Sequence, residues 1–195
     1  MQGLLTVDGN ILLFIQEYIR NPVLTPIMKA ITHIGDHGLF WVLLTVALLI
    51  FPKTRKAGLC SFLALACSYL LNNLFLKNVV GRIRPYEVIK ELELMVGMAK
   101  DASFPSGHSA SSFASAVAIY RSGQIPKKYG IVLFVLAALI ALSRLYVGIH
   151  YPTDVLVGIV SGIACGFVGA WLCRMIVEKV PPISKYLCIT FRAQP

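Results

Sequence analysis

The sequence predicts an all-α membrane protein, a bundle of five to six transmembrane helices that forms a single domain over residues 1–195. Charged residues make up 14% of the chain and hydrophobic residues 57%, whereas charged residues are about a quarter of a soluble domain. Several apolar runs also come close to the roughly 20 residues that a bilayer-spanning helix needs. We therefore expect a multi-pass protein of the cell membrane.

Residues 1–36 are expected to form an interfacial N-terminal segment. In residues 8–20 the apolar side chains recur on one side of a helix, which is typical of an amphipathic helix that lies in the membrane interface. Residues 22–36 are interrupted by proline and carry His33 and Asp36, so we expect them to be interfacial or partly inserted. A further span here would move the N-terminus to the other side, so the choice between five and six spans stays open.

Five later segments are apolar enough to cross the bilayer. The third is short and rich in serine and alanine, a composition that suits a helix packed against its neighbours. In the fifth, Gly158, Gly162 and Gly166 recur every four residues, a spacing that lets two helices approach closely. The five predicted spans cover approximately residues 38–52, 57–79, 107–120, 129–147 and 154–177.

The net charge of +9 is explained by the topology of the chain. With these spans, the loops at 53–56 and 121–128 and the segment after residue 173 would share one side. That side holds ten of the 18 basic residues and one acidic residue, and the other side holds eight of each. Because basic loops stay in the cytoplasm, the less basic side is extracytoplasmic. We therefore expect the protein to interact with the lipid bilayer and not with nucleic acid.

Three short blocks carry most of the functional information, and all of them fall on the predicted extracytoplasmic side. Ionisable residues at membrane depth are costly and usually mark functional sites. The blocks are Lys77 followed after six residues by Arg84-Pro85, then Pro105-Ser106-Gly107-His108, and then Ser143-Arg144 followed after five residues by His150 and after three more by Asp154.

The first and third blocks supply the cations Lys77, Arg84 and Arg144. Three permanent cations at one membrane face repel each other unless an anion lies between them. A phosphate fits, because arginine binds its oxygens with a two-pronged fork and lysine adds a point charge. The sequence therefore predicts a phosphate site.

The second and third blocks supply the groups for the chemistry. Ser106 is a plausible N-cap for a helix that begins at Gly107, where free N–H groups favour an anion. His108 would then lie beside the phosphate and suits a general acid. His150 and Asp154 are four residues apart, so the carboxylate can orient the imidazole and leave its other nitrogen free to attack.

These blocks resemble the pattern of the type 2 phosphatidic acid phosphatase (PAP2) superfamily, K-x6-RP, PSGH and SR-x5-H-x3-D, and match each of its fixed positions. The resemblance covers about residues 70–160, the expected catalytic core. It implies that His150 is a nucleophile that forms a phosphohistidine, with Asp154 as its partner, and that His108 protonates the leaving group. It also implies a reaction without metal or other cofactor. The implied phosphate ligands are Lys77, Arg84, Ser106, Gly107 and Arg144.

The resulting hypothesis is a metal-independent phosphatase that removes a terminal phosphate from a membrane lipid. A compact, outward-facing chain of this kind is most like the bacterial undecaprenyl diphosphate phosphatases of the family. Phosphatidylglycerophosphate, phosphatidate and a lipid A phosphate stay open as substrates, and so does a lipid-linked phosphotransferase with the same histidine. The oligomeric state is not predicted.

Two features near the blocks can each be interpreted in two ways. Arg82 could help to bind a second phosphate, or it could contact solvent or lipid headgroups. Residues 86–103 mix acidic residues with leucine and methionine, which predicts a short amphipathic helix, either a lid over the site or an ordinary interfacial helix. His33, Asp36 and His37 are expected to form a polar turn at the interface.

Overall fold

The computed structural model describes residues 2–179, and it confirms the all-α class. The described residues are 78% helical and contain no strand. Residues 180–195, the end of the predicted cytoplasmic segment, lie outside these residues. The main helices are α1 (Gln2–Phe14), α2 (Leu24–Ile34), α3 (Leu39–Ile50), α4 (Arg55–Ser68), α5 (Lys77–Val80), α6 (Pro85–Val88), α7 (Gly107–Arg121), α8 (Lys127–Tyr146) and α9 (Pro152–Lys179).

Helix α7 lies at the centre of the bundle and contacts α4, α8 and α9. Its serine and alanine side chains are buried, as the sequence predicted. Hydroxyl groups replace apolar contacts at several points. Ser115 shares a 2.6 Å hydrogen bond with Ser61 of α4, and Ser112 accepts one of 2.8 Å from Trp41 of α3. Small side chains and internal hydrogen bonds therefore let four helices pack closely around α7.

The glycine row of α9 packs against α7, as its spacing predicted. A Cβ atom at Gly158 would lie 2.6 Å from the carbonyl oxygen of Ser106, and one at Gly166 would lie 2.6 Å from Cβ of Val117. Both distances are too short for a real contact, so only glycine allows this approach. The close packing also places the beginning of α7 beside the beginning of α9, where the second and third blocks lie.

Three helical segments are long and apolar enough to cross a membrane on their own, namely Pro52–Val88, α8 and α9. Helices α2 and α3 meet at a bend of 43° and would together form a fourth. The bend is made by His37 and Gly38, which both have left-handed backbone angles (φ 53° and 66°). The number of spans therefore remains a prediction, and so does the interfacial position of α1, which is helical as expected.

The prediction of a helix within residues 86–103 is wrong except at its start. Helix α6 ends at Val88, and no described residue from 89 to 106 is helical. Tertiary hydrogen bonds replace the helical ones here. The Met95 N–H donates to the Val147 carbonyl, and the Tyr86 hydroxyl bonds with both the N–H and the carbonyl of Ala99. We call residues 89–104 the connecting loop.

Candidate active site

The three blocks meet at one end of the bundle, around a cavity of about 1050 Å³. Helices α7 and α9 begin at this end, whereas the segment before Arg84 and helix α8 finish there. The cavity continues between α3 and α4 as an apolar groove. Its polar end is lined by Lys77, Arg84, Asp101, Gly107, His108, Arg144 and His150, and by His33, Asp36 and His37 from the bend between α2 and α3.

Lys77 and Arg84 converge on one carboxylate, that of Asp101 in the connecting loop. Lys77 Nζ donates to Oδ2, and Arg84 Nη2 donates to Oδ1 over 2.6 Å. Arg84 is 3% exposed and is also fixed by the Ile149 carbonyl, 3.0 Å from its Nη1. Partial burial works to raise the pKa of Asp101, but the bonds and charges of the two cations outweigh burial and lower it to about 2. The two cations therefore hold an oxyanion in the cavity.

Arg144 brings the third cation to the cavity from the end of α8. Its Nη1 donates to the Thr32 hydroxyl over 2.6 Å and lies 3.9 Å from Asp36 Oδ1. Its Nε is buried and has no hydrogen-bond partner among the residues that the structure describes. A buried donor without a partner costs about 1–3 kcal/mol, so this guanidinium is suited to bind an anion in the cavity.

His150 lies in the turn between α8 and α9 and is 2% exposed. Its Nδ1 is 3.5 Å from Oδ2 of Asp154, which is fully buried behind it. The same Oδ2 accepts from the Ser103 hydroxyl over 2.5 Å and from the Tyr151 N–H over 3.0 Å. Burial lowers the pKa of His150 to about 4, against the opposing effect of Asp154. At neutral pH His150 is therefore an uncharged imidazole whose Nε2 is directed toward the cavity.

His108 occupies the first turn of α7, opposite His150. Its Nε2–H donates to Oδ1 of Asp36 over 3.1 Å, while Oδ2 of Asp36 accepts from His33 Nδ1 over 2.8 Å. The arrangement gives each of the two histidines its own aspartate.

The loop before α7 supplies backbone close to the cavity. Ser106 caps α7, because its hydroxyl accepts from the Ser109 N–H, and its own N–H donates to the Asp154 carbonyl over 3.0 Å. Ser106 is not among the residues that line the cavity, and its predicted role as a phosphate ligand stays a prediction. Gly107 lines the cavity, and a Cβ there would lie 3.0 Å from Oδ1 of Asn73.

Sequence reasoning missed several residues of this site. The sequence patterns do not indicate Asp101, Ser103 or Asn73, and they predict only an interfacial turn at Asp36. Arg82 lies elsewhere: its guanidinium bonds to Asp154 behind His150 and does not line the cavity. The structure therefore gives no support to the interpretation in which Arg82 helps to bind a second phosphate.

The model of the PAP2 superfamily matches residues 57–178, a segment that contains all three blocks. The chain belongs to the PAP2 superfamily. This membership confirms the resemblance that the motifs predicted, and it supports a phosphate ester hydrolase.

PAP2 relatives differ in the lipid that their names give. An undecaprenyl-diphosphatase of Sulfolobus acidocaldarius is 31% identical over 74% of this chain and 66% of its own length. A decaprenylphosphoryl-5-phosphoribose phosphatase of Mycolicibacterium smegmatis is 36% identical over 67% and 68%. The chain thus spans about two thirds of these two relatives. A crystal structure of a transmembrane PAP2-type phosphatidylglycerolphosphate phosphatase from Bacillus subtilis has a TM-score of 0.72 at 28% identity, over 92% of this chain and 89% of that one.

Proposed function

We propose that this PAP2 protein is a metal-independent lipid phosphate or diphosphate phosphatase that acts through a phosphohistidine. One observation carries the proposal: His150, backed by Asp154, faces a cavity that joins three cations to an apolar groove. The cations suit the phosphate, and the groove suits a lipid tail. Asp101 supports the first of these assignments, because Lys77 and Arg84 already bind its carboxylate.

In the first step, Nε2 of His150 attacks phosphorus and the P–O bond to the leaving group breaks. His108 gives a ring proton to the departing oxygen. Lys77, Arg84 and Arg144 stabilise the negative charge on the other phosphate oxygens, which is usually the largest catalytic contribution. Asp154 stabilises the positive charge that develops on His150 as the P–N bond forms.

In the second step, the neutral His108 takes a proton from water, and the resulting hydroxide attacks the phosphohistidine. The P–N bond breaks, His150 returns to its neutral form, and inorganic phosphate leaves with His108 protonated again. The cycle needs two histidines in opposite protonation states. Each histidine has its own aspartate in the structure: Asp36 accepts from Nε2 of His108, and Asp154 lies 3.5 Å from Nδ1 of His150.

The groove supports a lipid substrate. It is lined by Val42, Val46 and Leu49 of α3 and by Phe62 and Leu65 of α4. From Gly38 to Leu49 a helix rises about 16 Å, so the groove can hold the first part of a hydrocarbon tail. Several of its side chains are exposed along the flank of the bundle, which allows a lipid to reach it sideways from the bilayer.

Undecaprenyl diphosphate is the proposed substrate. The Sulfolobus relative supports it by its name, and the groove fits a single polyprenyl tail. Phosphatidylglycerophosphate is the alternative, because the Bacillus structure matches 92% of the chain. Phosphatidate belongs to the same glycerolipid alternative.

The active site is proposed to face the extracytoplasmic side. Helix connectivity puts the basic loops at 53–56 and 121–128 at the end of the bundle far from His150, and a hydrogen bond of 3.0 Å from the Ala57 N–H to Gln124 joins them. Basic loops remain in the cytoplasm. In a cysteine-free background, Lys100→Cys should react with an impermeant maleimide in intact cells, and Lys53→Cys should react only after lysis. The reverse pattern would contradict the orientation.

Phosphate release from detergent micelles with excess chelator tests the function. Undecaprenyl diphosphate, phosphatidylglycerophosphate and phosphatidate are compared for the wild-type protein and the variants His150→Ala and Arg174→Ala, the latter being a control at the far end of α9. We expect chelator-resistant release that requires His150, persists in the control and is fastest with the diphosphate. Faster release from a glycerolipid would select the alternative substrate. Full activity of His150→Ala would overturn the mechanism.

A phosphotransferase with the same phosphohistidine differs only in its second step. The same micelles are therefore supplemented with a lipid or sugar acceptor, and the phosphate is followed by a radioactive label. Release as inorganic phosphate supports the hydrolase, whereas a His150-dependent label on the acceptor, with little free phosphate, supports the transferase.

A further inference from the structure

A buried charge cluster lies behind His150, on the side away from the cavity. Asp154 Oδ1 accepts from Nη1 of Arg82 over 2.6 Å, and Nη2 of the same guanidinium donates to Oδ2 of Asp8 over 2.7 Å. Asp8 belongs to α1, is 2% exposed, and also accepts from the N–H and the hydroxyl of Thr153. The ring of Tyr151 lies under the guanidinium, 3.8 Å from its carbon.

We propose that Asp8 and Arg82 are positioning residues for the nucleophile: Arg82 fixes the carboxylate of Asp154, and Asp8 fixes Arg82. The inference rests on the proposed function, since it gives the cluster a role through His150. It makes the N-terminal helix a part of the active site, although none of the three sequence blocks includes it.

The geometry explains what Arg82 does for Asp154. The Oδ2 atom of the carboxylate contacts Ser103, Tyr151 and Nδ1 of His150, and its Oδ1 atom contacts Arg82. A carboxylate held at both oxygens cannot rotate about its side-chain torsion. Oδ2 therefore stays beside Nδ1 of His150, which keeps Nε2 aimed into the cavity while the P–N bond forms.

The charges explain why a second aspartate is present. Arg82 alone would neutralise Asp154 and weaken its attraction for the cation that forms on His150. Asp8 shares the guanidinium, so that Asp8, Arg82 and Asp154 together carry one negative charge. Without Asp8 the net charge of the cluster is zero, and the phosphohistidine step loses electrostatic stabilisation in a buried environment where charges interact strongly.

Asp8→Asn is the decisive variant, because it removes the charge and keeps the size. Residues that orient a metal-bound histidine are typically worth about 10- to 100-fold, and we expect the same range for a nucleophilic histidine. We expect kcat to fall by that factor with KM unchanged, because the phosphate and tail contacts remain. Glu178→Gln, an equivalent change in the ion pair with Arg174, is the control and should leave kcat as it is.

The pH profile separates positioning from a purely structural role. The groups that face His150 are Asp154, Arg144, Arg84 and His108, and Asp8→Asn leaves all of them in place. Loss of one negative charge behind His150 should move the acidic limb of kcat to lower pH, whereas Arg82→Gln should move it to higher pH. A structural defect would lower the melting temperature and the amount of active enzyme without moving the limb.

Asp8→Asn is also measured in an Asp154→Asn background. If Asp8 acts through Asp154, Asp8→Asn should lower kcat little further once Asp154 is neutral. The effects of coupled residues are not additive. If the Asp8→Asn protein does not fold, the test relies on the shift of the acidic limb of kcat to higher pH in Arg82→Gln. Normal kcat in Asp8→Asn, or losses that multiply in the double variant, would overturn the inference while a dead His150→Ala still upholds the proposed function.

Discussion

The carboxylate of Asp101 lies 2.6 Å from Nη2 of Arg84 and bonds to Lys77 with its other oxygen. These two cations are the ones that the sequence pattern assigns to the phosphate. The side chain of Asp101 is 56% exposed. Its carboxylate can therefore move away from the cations and into solvent when a substrate phosphate binds. An internal anion and the substrate therefore compete for one pair of cations.

Asp101→Asn should strengthen the binding of phosphate and vanadate as inhibitors. An exposed ion pair is worth up to about 1 kcal/mol, so its removal should lower the inhibition constants by between about twofold and fivefold. Because the pKa of Asp101 is about 2, the residue is ionised across the working range, and the effect should be equal at pH 5.5 and pH 8. Weaker inhibition in the variant would show that Asp101 supports the cations instead of competing for them.

His150 should make stability depend on pH below neutrality. Its pKa falls from 6.5 to about 4 on folding, because burial disfavours the charged ring. The unfolded chain therefore binds more protons between these values, and the free energy of unfolding should fall as the pH drops from 6.5 to 4. The loss from this group approaches about 3 kcal/mol at the lower end.

Thermal melts of the wild-type protein and of His150→Gln, recorded in detergent from pH 7 to pH 4, check this dependence. The neutral glutamine cannot gain a proton, so the variant should lose less stability than the wild-type protein over that range. Parallel curves for the two proteins would show that His150 does not titrate between its folded and unfolded states.

Activity should follow a bell-shaped pH profile, since His150 must be neutral and His108 protonated in the first step. The ionisable groups that face His108 are Asp36, Arg144 and His150, and only Asp36 among them carries a negative charge. Asp36→Asn should therefore move the alkaline limb of kcat to lower pH while the acidic limb stays. A monotonic profile set by the chemical step, or an unmoved alkaline limb in the variant, would contradict this division of roles.

The sequence predicted the groups that every catalyst of this pattern must carry, but it could not predict their partners. Lys77, His108 and His150 fall within short patterns, whereas Asp36 reaches His108 across 72 residues and Asp8 reaches Thr153 across 145. Helical periodicity does not say which loop or helix carboxylate a bundle brings to a given histidine. Only the bend at Gly38 and the packing of α1 decide those pairings.

In the connecting loop the local sequence pattern gave a wrong prediction, because tertiary contacts determine the backbone conformation. Its mixture of acids with leucine and methionine predicted a helix, but Met95 bonds to Val147 and Ala99 bonds to Tyr86. Val147 is distant in sequence and Tyr86 lies just before the loop, and both satisfy backbone groups of the loop without a helix. The extended path also places Asp101 and Ser103 at the site, where a helix would have directed them differently.

A bulky residue in the groove should separate lipid binding from chemistry. Val46 is on α3, about 12 Å along the helix from Gly38, and lines the groove with 47% of its surface exposed. Val46→Trp should fill the groove and raise KM for a long-chain lipid phosphate about tenfold, which corresponds to about 1.4 kcal/mol of lost tail contact. A short water-soluble phosphate ester does not use the groove, so its kcat/KM should change by less than about twofold by the same arithmetic.

The control, Val160→Trp, places the same side chain on a 68% exposed site of α9 outside the cavity. It should leave the kinetics of both substrates unchanged. Equal losses for the two substrates in Val46→Trp would mean that the groove does not hold the tail, and that the lipid reaches the cations by another route.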